Sequence, residues 1–135
     1  MQDPLLVGLA ALLLRIALGV MFYAHAWLKI KVYTPAGAVK YFESLGLPGF
    51  VAYLTMAAEI VGGTLLVLGV GTRWVALALV PLILGTIVLV HGKKGWLFSN
   101  PDGGWEYPAF WIVGLVALAL LGDGTAALGP RLGLG

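Results

Sequence analysis

The chain has 135 residues, 61% of them hydrophobic and 10% charged, with a formal net charge of +2. A water-exposed globule carries about a quarter charged residues, so that class is excluded, and the small, unclustered basic excess argues against a nucleic-acid partner. The absence of Cys excludes disulfides, thiolate metal ligation and thiol chemistry performed by this chain. What remains is a lipid-membrane protein: one domain, 1–135, with room for about four spans of roughly twenty residues.

The first apolar run covers about 4–28. Only Gln2 and Asp3 precede it as polar residues, and it contains Arg15 and is longer than a signal-peptide core. It therefore reads as a transmembrane helix, although Ala24-His25-Ala26 fits a small-x-small cleavage pattern. In the connection that follows, Thr34 is placed as an N-cap with Pro35 at the first helical position. Val39, Phe42 and Leu45 recur at helical spacing opposite Lys40 and Glu43, and Gly46 is placed to end the turn. The spacing predicts a short amphipathic helix at the membrane surface.

Span two runs over about 48–70, and Gly71-Thr72-Arg73 makes a tight turn into span three, 74–91, where Pro81 is expected to introduce a kink. A polar, glycine-rich loop over 92–104 leads to span four, 105–121, and the tail after Gly122 is expected to be weakly structured. The echo of Leu68-Gly69-Val70-Gly71-Thr72 in Leu121-Gly122-Asp123-Gly124-Thr125 is read as repeated glycine capping rather than duplication. The expected architecture is all-α: an integral membrane antiparallel four-helix bundle with a short interfacial helix between spans one and two. Lys29, Lys31, Lys40, Lys93 and Lys94 lie on the two longer connections, and Arg73 and Arg131 on the opposite side. The positive-inside rule then places both termini outside an inner cell membrane.

Glu59 stands near the middle of span two, where an unpaired charge costs about 2.5–3.5 kcal/mol on insertion scales. Arg15 stands near the middle of span one, and antiparallel packing is expected to bring the two into an ion pair. Such a pair serves either as a site that binds a polar ligand or relays protons, or as a clasp that fixes helix register. Arg15, Gly19, Phe22 and Lys29 share one helical stripe, and Gly62 and Gly63 beside Glu59 allow a neighbouring backbone to approach closely. A second group gathers at the opposite span ends: His25, Lys29, His91, Glu106 and Tyr107. Together these could handle protons and orient a polar head group. Singly, each is also an ordinary interfacial residue, and Tyr107 with Trp27, Trp96 and Trp105 resembles an aromatic belt. No helical spacing of His or Glu supports a metal site, and the glycines of the 92–104 loop do not form a phosphate loop.

The ordered set Arg15-x-x-x-Gly19, His25-x-x-x-Lys29, Glu59-x-x-Gly62-Gly63, Leu68-Gly69 and Thr72-Arg73 resembles the DoxX family of small four-helix membrane proteins. His91, Gly103-Gly104-x-Glu106-Tyr107 and Gly122-x-Gly124 extend the resemblance over nearly the whole chain. Two departures stand out: Ala26 replaces the glycine usual after the His, and Thr125-Ala126-Ala127 replaces a common Ser-Leu-Asp ending. The resemblance implies a link to membrane redox systems, including a subunit of a thiosulfate:quinone oxidoreductase, and to oxidative-stress and thiol-homeostasis complexes. Carried onto this chain, it makes Arg15, His25, Lys29, Glu59, His91, Glu106 and Tyr107 candidates for a quinone or small-anion site. Electrons would come from a redox partner subunit or from a bound reductant, since the chain offers no Cys and no recognisable haem or flavin ligation. Two other functions fit the same polar residues: a proton-coupled carrier of a small solute, and a non-catalytic membrane scaffold or assembly factor. Whether the chain forms a homo-oligomer is left open by the sequence.

Overall fold

The computed structural model describes residues 3–97, 99–101 and 103–133; Phe98 and Asp102 of the glycine-rich loop, and Gln2 near the N-terminus, lie outside the described residues. Helix α1 spans Pro4–Trp27. Asp3 caps it, accepting the Leu5 N–H at 2.9 Å, and Pro4 supplies a preset first turn. The helix does not stop near residue 28 as the sequence suggested. It passes into a π turn, Leu28–Val32, closed by the Tyr33 N–H on the Leu28 carbonyl at 2.9 Å.

Helix α2, Thr34–Ser44, begins and ends as its sequence requires. The Thr34 hydroxyl accepts the Gly37 N–H at 3.2 Å, and Gly46 turns left-handed (φ +86°) while Leu47 donates back to the Phe42 carbonyl. Its apolar side, Ala38 with Val39 and Phe42, packs on Ala52 and Met56 of α3. Helix α3 covers Phe50–Leu68 and helix α4 Thr72–Leu89, the latter running on through Pro81. His91 therefore falls outside α4, at the start of a short 3-10 turn, His91–Lys94. Helix α5 spans Glu106–Leu121. Among the described residues three helical stretches are long and apolar enough to cross a membrane, residues 4–32, 50–68 and 72–89, while α5 is apolar but shorter.

Helix α1 packs against α3 and α5, and α4 packs against the same two helices. Leu18, Phe22, Leu66, Leu79, Ile83, Leu115 and Leu118 fill the space between them. The outside is as apolar as the inside: Leu120 is 78% and Phe110 74% exposed. Such a surface is stable in hydrocarbon and not in water, which is the signature of a membrane protein.

Register between α1 and α3 is set where Gly19 meets Gly63. A Cβ on Gly19 would lie 3.0 Å from the Gly63 carbonyl oxygen, and one on Gly63 would lie 3.1 Å from that of Gly19. The two backbones touch because neither residue has a side chain. The tail corrects an expectation, since it is docked rather than weakly structured. Thr125 donates to the Gly8 carbonyl (3.2 Å), Leu128 to Leu68 (2.8 Å) and Gly129 to Gly69 (2.8 Å), and Ala127 is buried. Small residues let this extended chain lie directly on the ends of α1 and α3, where it satisfies backbone groups that lipid could not.

Gly19→Val is expected to lower stability in detergent by about 1–3 kcal/mol, as overpacking does. Gly85→Ala in α4, where a Cβ meets nothing within 4 Å, should instead gain about 0.5–1 kcal/mol of helix stability. Thermal unfolding of the two variants side by side checks both.

Candidate functional site at the π-turn end

The expected Arg15–Glu59 ion pair is not formed. The Gly19–Gly63 contact places Arg15 beside the C-terminal end of α3, eight residues, or about 12 Å, along that helix from Glu59. There the guanidinium, 0% exposed, donates to four carbonyls: Leu66 (3.5 Å) and Val67 (3.4 Å) of α3, and Thr125 (2.7 Å) and Ala126 (3.4 Å) of the tail. The C-terminus of a helix concentrates partial negative charge, so it can hold a cation without a carboxylate. Gly69 must be glycine here, because a Cβ would run into the Arg15 guanidinium and into Ala127.

The partner of Glu59 is Lys29. Its ammonium lies 3.0 Å from each carboxylate oxygen, with the two side chains 16% and 4% exposed. Lys29 belongs to the π turn, whose extra residue per turn rotates the helix relative to an α-helical continuation. Its long stem then reaches along α1 toward α3, as lysine stems do at membrane depth.

His25 sits one turn earlier on α1. Its Nδ1 lies 2.9 Å from the Met21 carbonyl, an acceptor only, so Nδ1 carries the proton and the neutral ring leaves Nε2 as a lone pair. The ring packs on Trp111 at 4.6 Å between centroids, with Phe22 on the same indole at 4.7 Å. Lys29 and His91 are both close enough for their charges to act on His25. His91 is tied down at both nitrogens: Nδ1–H donates to the Gly103 carbonyl at 3.0 Å, and Nε2 accepts the Tyr107 hydroxyl at 2.9 Å. Tyr33 and Tyr41, at the two ends of the first turns of α2, lie within electrostatic reach of Tyr107.

The structure thus gathers His25, Lys29, His91 and Tyr107 on the π-turn side, and Lys29 reaches from there to Glu59, at the middle of α3. It leaves out Arg15, which serves the other end. Glu106 is at the right level, but its half-buried carboxylate meets no partner among the described residues; it lies in the first turn of α5, where a negative charge suits the helix dipole. Sequence reasoning missed Trp111. It is 3% exposed and its indole N–H has no acceptor among the described residues. The signal was its position four residues after Tyr107, on the same face of α5 and too deep for an interfacial belt. Among the described residues no group of His, Asp and Glu gathers in a way that could hold a metal ion.

Lys29→Gln and Glu59→Gln should each destabilise the protein by about 3–5 kcal/mol, since each strands a buried charge, and the double variant should recover part of that loss. Arg15→Gln combined with Glu59→Gln should lose the sum of the single effects, because the two groups do not touch. A thermal-unfolding double-mutant cycle on both pairs distinguishes them.

"Putative oxidoreductase CatD" of Bacillus subtilis (strain 168) is 32% identical over 122 residues, covering 90% of this chain and 86% of that protein. "Inner membrane protein YqjF" of Escherichia coli (strain K12) is 35% identical over 88 residues, covering 65% of this chain and 66% of that protein. No solved structure gives a significant match. The DoxX family profile matches residues 10–92, a stretch that holds Arg15, His25, Lys29, Glu59 and His91, and the chain belongs to that family of small membrane proteins.

Proposed function

We propose that this chain is a redox-associated inner-membrane protein that binds a quinone at its π-turn end, as a subunit of a membrane oxidoreductase. The observation that carries the reading is the Lys29–Glu59 pair. An ammonium held by one buried carboxylate stands next to an imidazole with a free nitrogen, among apolar helices. The printed name of the Bacillus subtilis relative supports a redox role, and that of the Escherichia coli relative supports the compartment.

Reduction of a quinone takes two electrons and two protons and yields the quinol. The electrons come from a partner subunit that oxidises a reduced substrate. The protons need donors within reach of the two carbonyl oxygens. His25, once protonated at Nε2, serves one, and the Lys29 ammonium serves the other, with Glu59 holding the site near neutrality. Trp111, packed against His25 and Phe22, supports the imidazole from within the bundle and holds an unused N–H, and Tyr107 is fixed by His91. Proton donation by positioned groups of this kind contributes about 10²–10⁴-fold to rate.

In this reading residues 1–135 form one unit, and α5 crosses the membrane as a fourth, nearly upright helix in an antiparallel bundle. The Lys-rich end, with Lys29, Lys31, Lys40, Lys93 and Lys94, faces the cytoplasm, and both termini lie outside. Cysteines introduced at Lys94 and Arg131 should therefore be labelled from opposite sides of the membrane. Labelling of both from one side would remove α5 as a span.

The function is tested by mass spectrometry of co-purified lipids and quinones, followed by quinone titration at pH 6 and pH 8. Protonation of an imidazole increases as pH falls. Since only protonated His25 can donate to a quinone carbonyl, binding should be tighter at pH 6. His25→Ala should remove that difference and weaken binding about tenfold, the worth of one hydrogen bond to a charged group. Equal affinity of wild type and His25→Ala at both pH values would leave the Lys29–Glu59 pair as a register clasp in a non-catalytic scaffold.

A further inference from the structure

The end of the helices away from the π turn carries a second polar feature that the redox reading does not use. A recess of about 160 Å³ opens between the N-terminus of α4 and the C-terminus of α5, lined by Thr72, Arg73, Trp74, Leu121 and Asp123 among others.

Its chemistry is mixed in sign. Helix α4 has no side-chain cap at Gly71, and the N–H groups of Arg73 and Trp74 find no acceptor among the described residues. The helix therefore presents its positive pole to the recess. Arg73 adds a full charge: its Nε–H donates to the Ala119 carbonyl at 2.7 Å, which pins the side chain across the α5 end, and its Nη groups have no acceptor among the described residues. Thr72 is 1% exposed, lines the recess, and its hydroxyl has no partner among the described residues. Against these donors stands one carboxylate, Asp123, whose Oδ1 accepts the Thr72 N–H only loosely, at 3.4 Å. Arg15 also lies within electrostatic reach of Asp123.

A simple anion would meet the donors but be repelled by Asp123. A simple cation would meet Asp123 but be repelled by Arg73 and the helix pole. A zwitterion with adjacent phosphate and ammonium satisfies both sets. The rim decides its source: Trp74 is 69% and Leu121 38% exposed, at the ends of the spans where lipid head groups lie. We propose that this recess binds the head group of a phospholipid bearing a primary ammonium, with phosphate on Arg73 and the α4 N-terminus and ammonium on Asp123. Phosphate at an uncapped helix N-terminus beside an arginine is a favourable pairing in both charge and hydrogen bonding.

The test measures the shift in unfolding midpoint of the detergent-solubilised protein on titration with phosphatidylethanolamine, phosphatidylglycerol and phosphatidylcholine, since a ligand of the folded state raises that midpoint by mass action. Phosphatidylethanolamine should stabilise at the lowest concentration. Arg73→Gln should weaken it about tenfold, one charge-assisted contact, whereas Arg131→Gln should not. Asp123→Asn should abolish the preference over phosphatidylglycerol while leaving phosphate recognition, so it decides the matter even if Arg73→Gln does not fold. Equal stabilisation by all three lipids, or a preference that survives Asp123→Asn, would overturn the proposal. So would soluble phosphoethanolamine acting as strongly as the lipid, which would make the ligand a water-soluble one.

Discussion

Where Gly19 lies on Gly63, two helices touch through their backbones, and the position of every charge in the apolar interior follows from that contact. Sliding α1 by one turn along α3 would put side chains where there is now no room. With the register fixed, Arg15 reaches the carbonyls at the end of α3, and Glu59 is met by a residue from beyond the regular part of α1. Lys29, carried on the π turn, is that residue. A steric constraint with no charge in it thus decides the electrostatics.

The two buried cations are held in different ways. Lys29 has a carboxylate and makes a neutral pair with it. Arg15 touches no carboxylate among the described residues, Asp123 acting on it only at a distance, and it is held by carbonyl dipoles, two from a helix end and two from the tail. A guanidinium suits the second role because its fork of five donors serves several carbonyls at once, which a compact ammonium cannot do as well. The tail is consequently part of the solvation shell of Arg15. This gives the Thr125-Ala126-Ala127 stretch a structural reason to be small and closely fitted, in a tail that the sequence had marked as weakly structured.

Much of this was legible from the sequence, and the exceptions are physical ones. Long apolar runs, the Thr34 cap, the left-handed Gly46 and the amphipathic pattern of α2 are local, and they appear where the residues put them. The Arg15–Glu59 pairing failed because it assumed that helix midpoints align. The helical stretch containing α1 has 29 residues and α3 has 19, so their midpoints carry no information about register, whereas the Gly19 and Gly63 positions do. The tail was missed because its binding is made by backbone groups, which have no side-chain signature. Trp111 was missed because one indole inside an apolar run looks like ordinary core, and only its depth in α5, one turn beyond Tyr107, sets it apart.

Unequal helix length has a consequence for the surrounding lipid. At 1.5 Å per residue, 29 residues extend about 43 Å, whereas the 16 residues of α5 extend about 24 Å, against a hydrocarbon layer of about 30 Å. With α5 as a span, the protein is tall on one flank and short on the other. The bilayer must thin beside α5 while α1 tilts or projects through the head groups. An amphiphile approaching along the thinned flank would meet the polar ends of the helices from within the membrane, without first having to leave it.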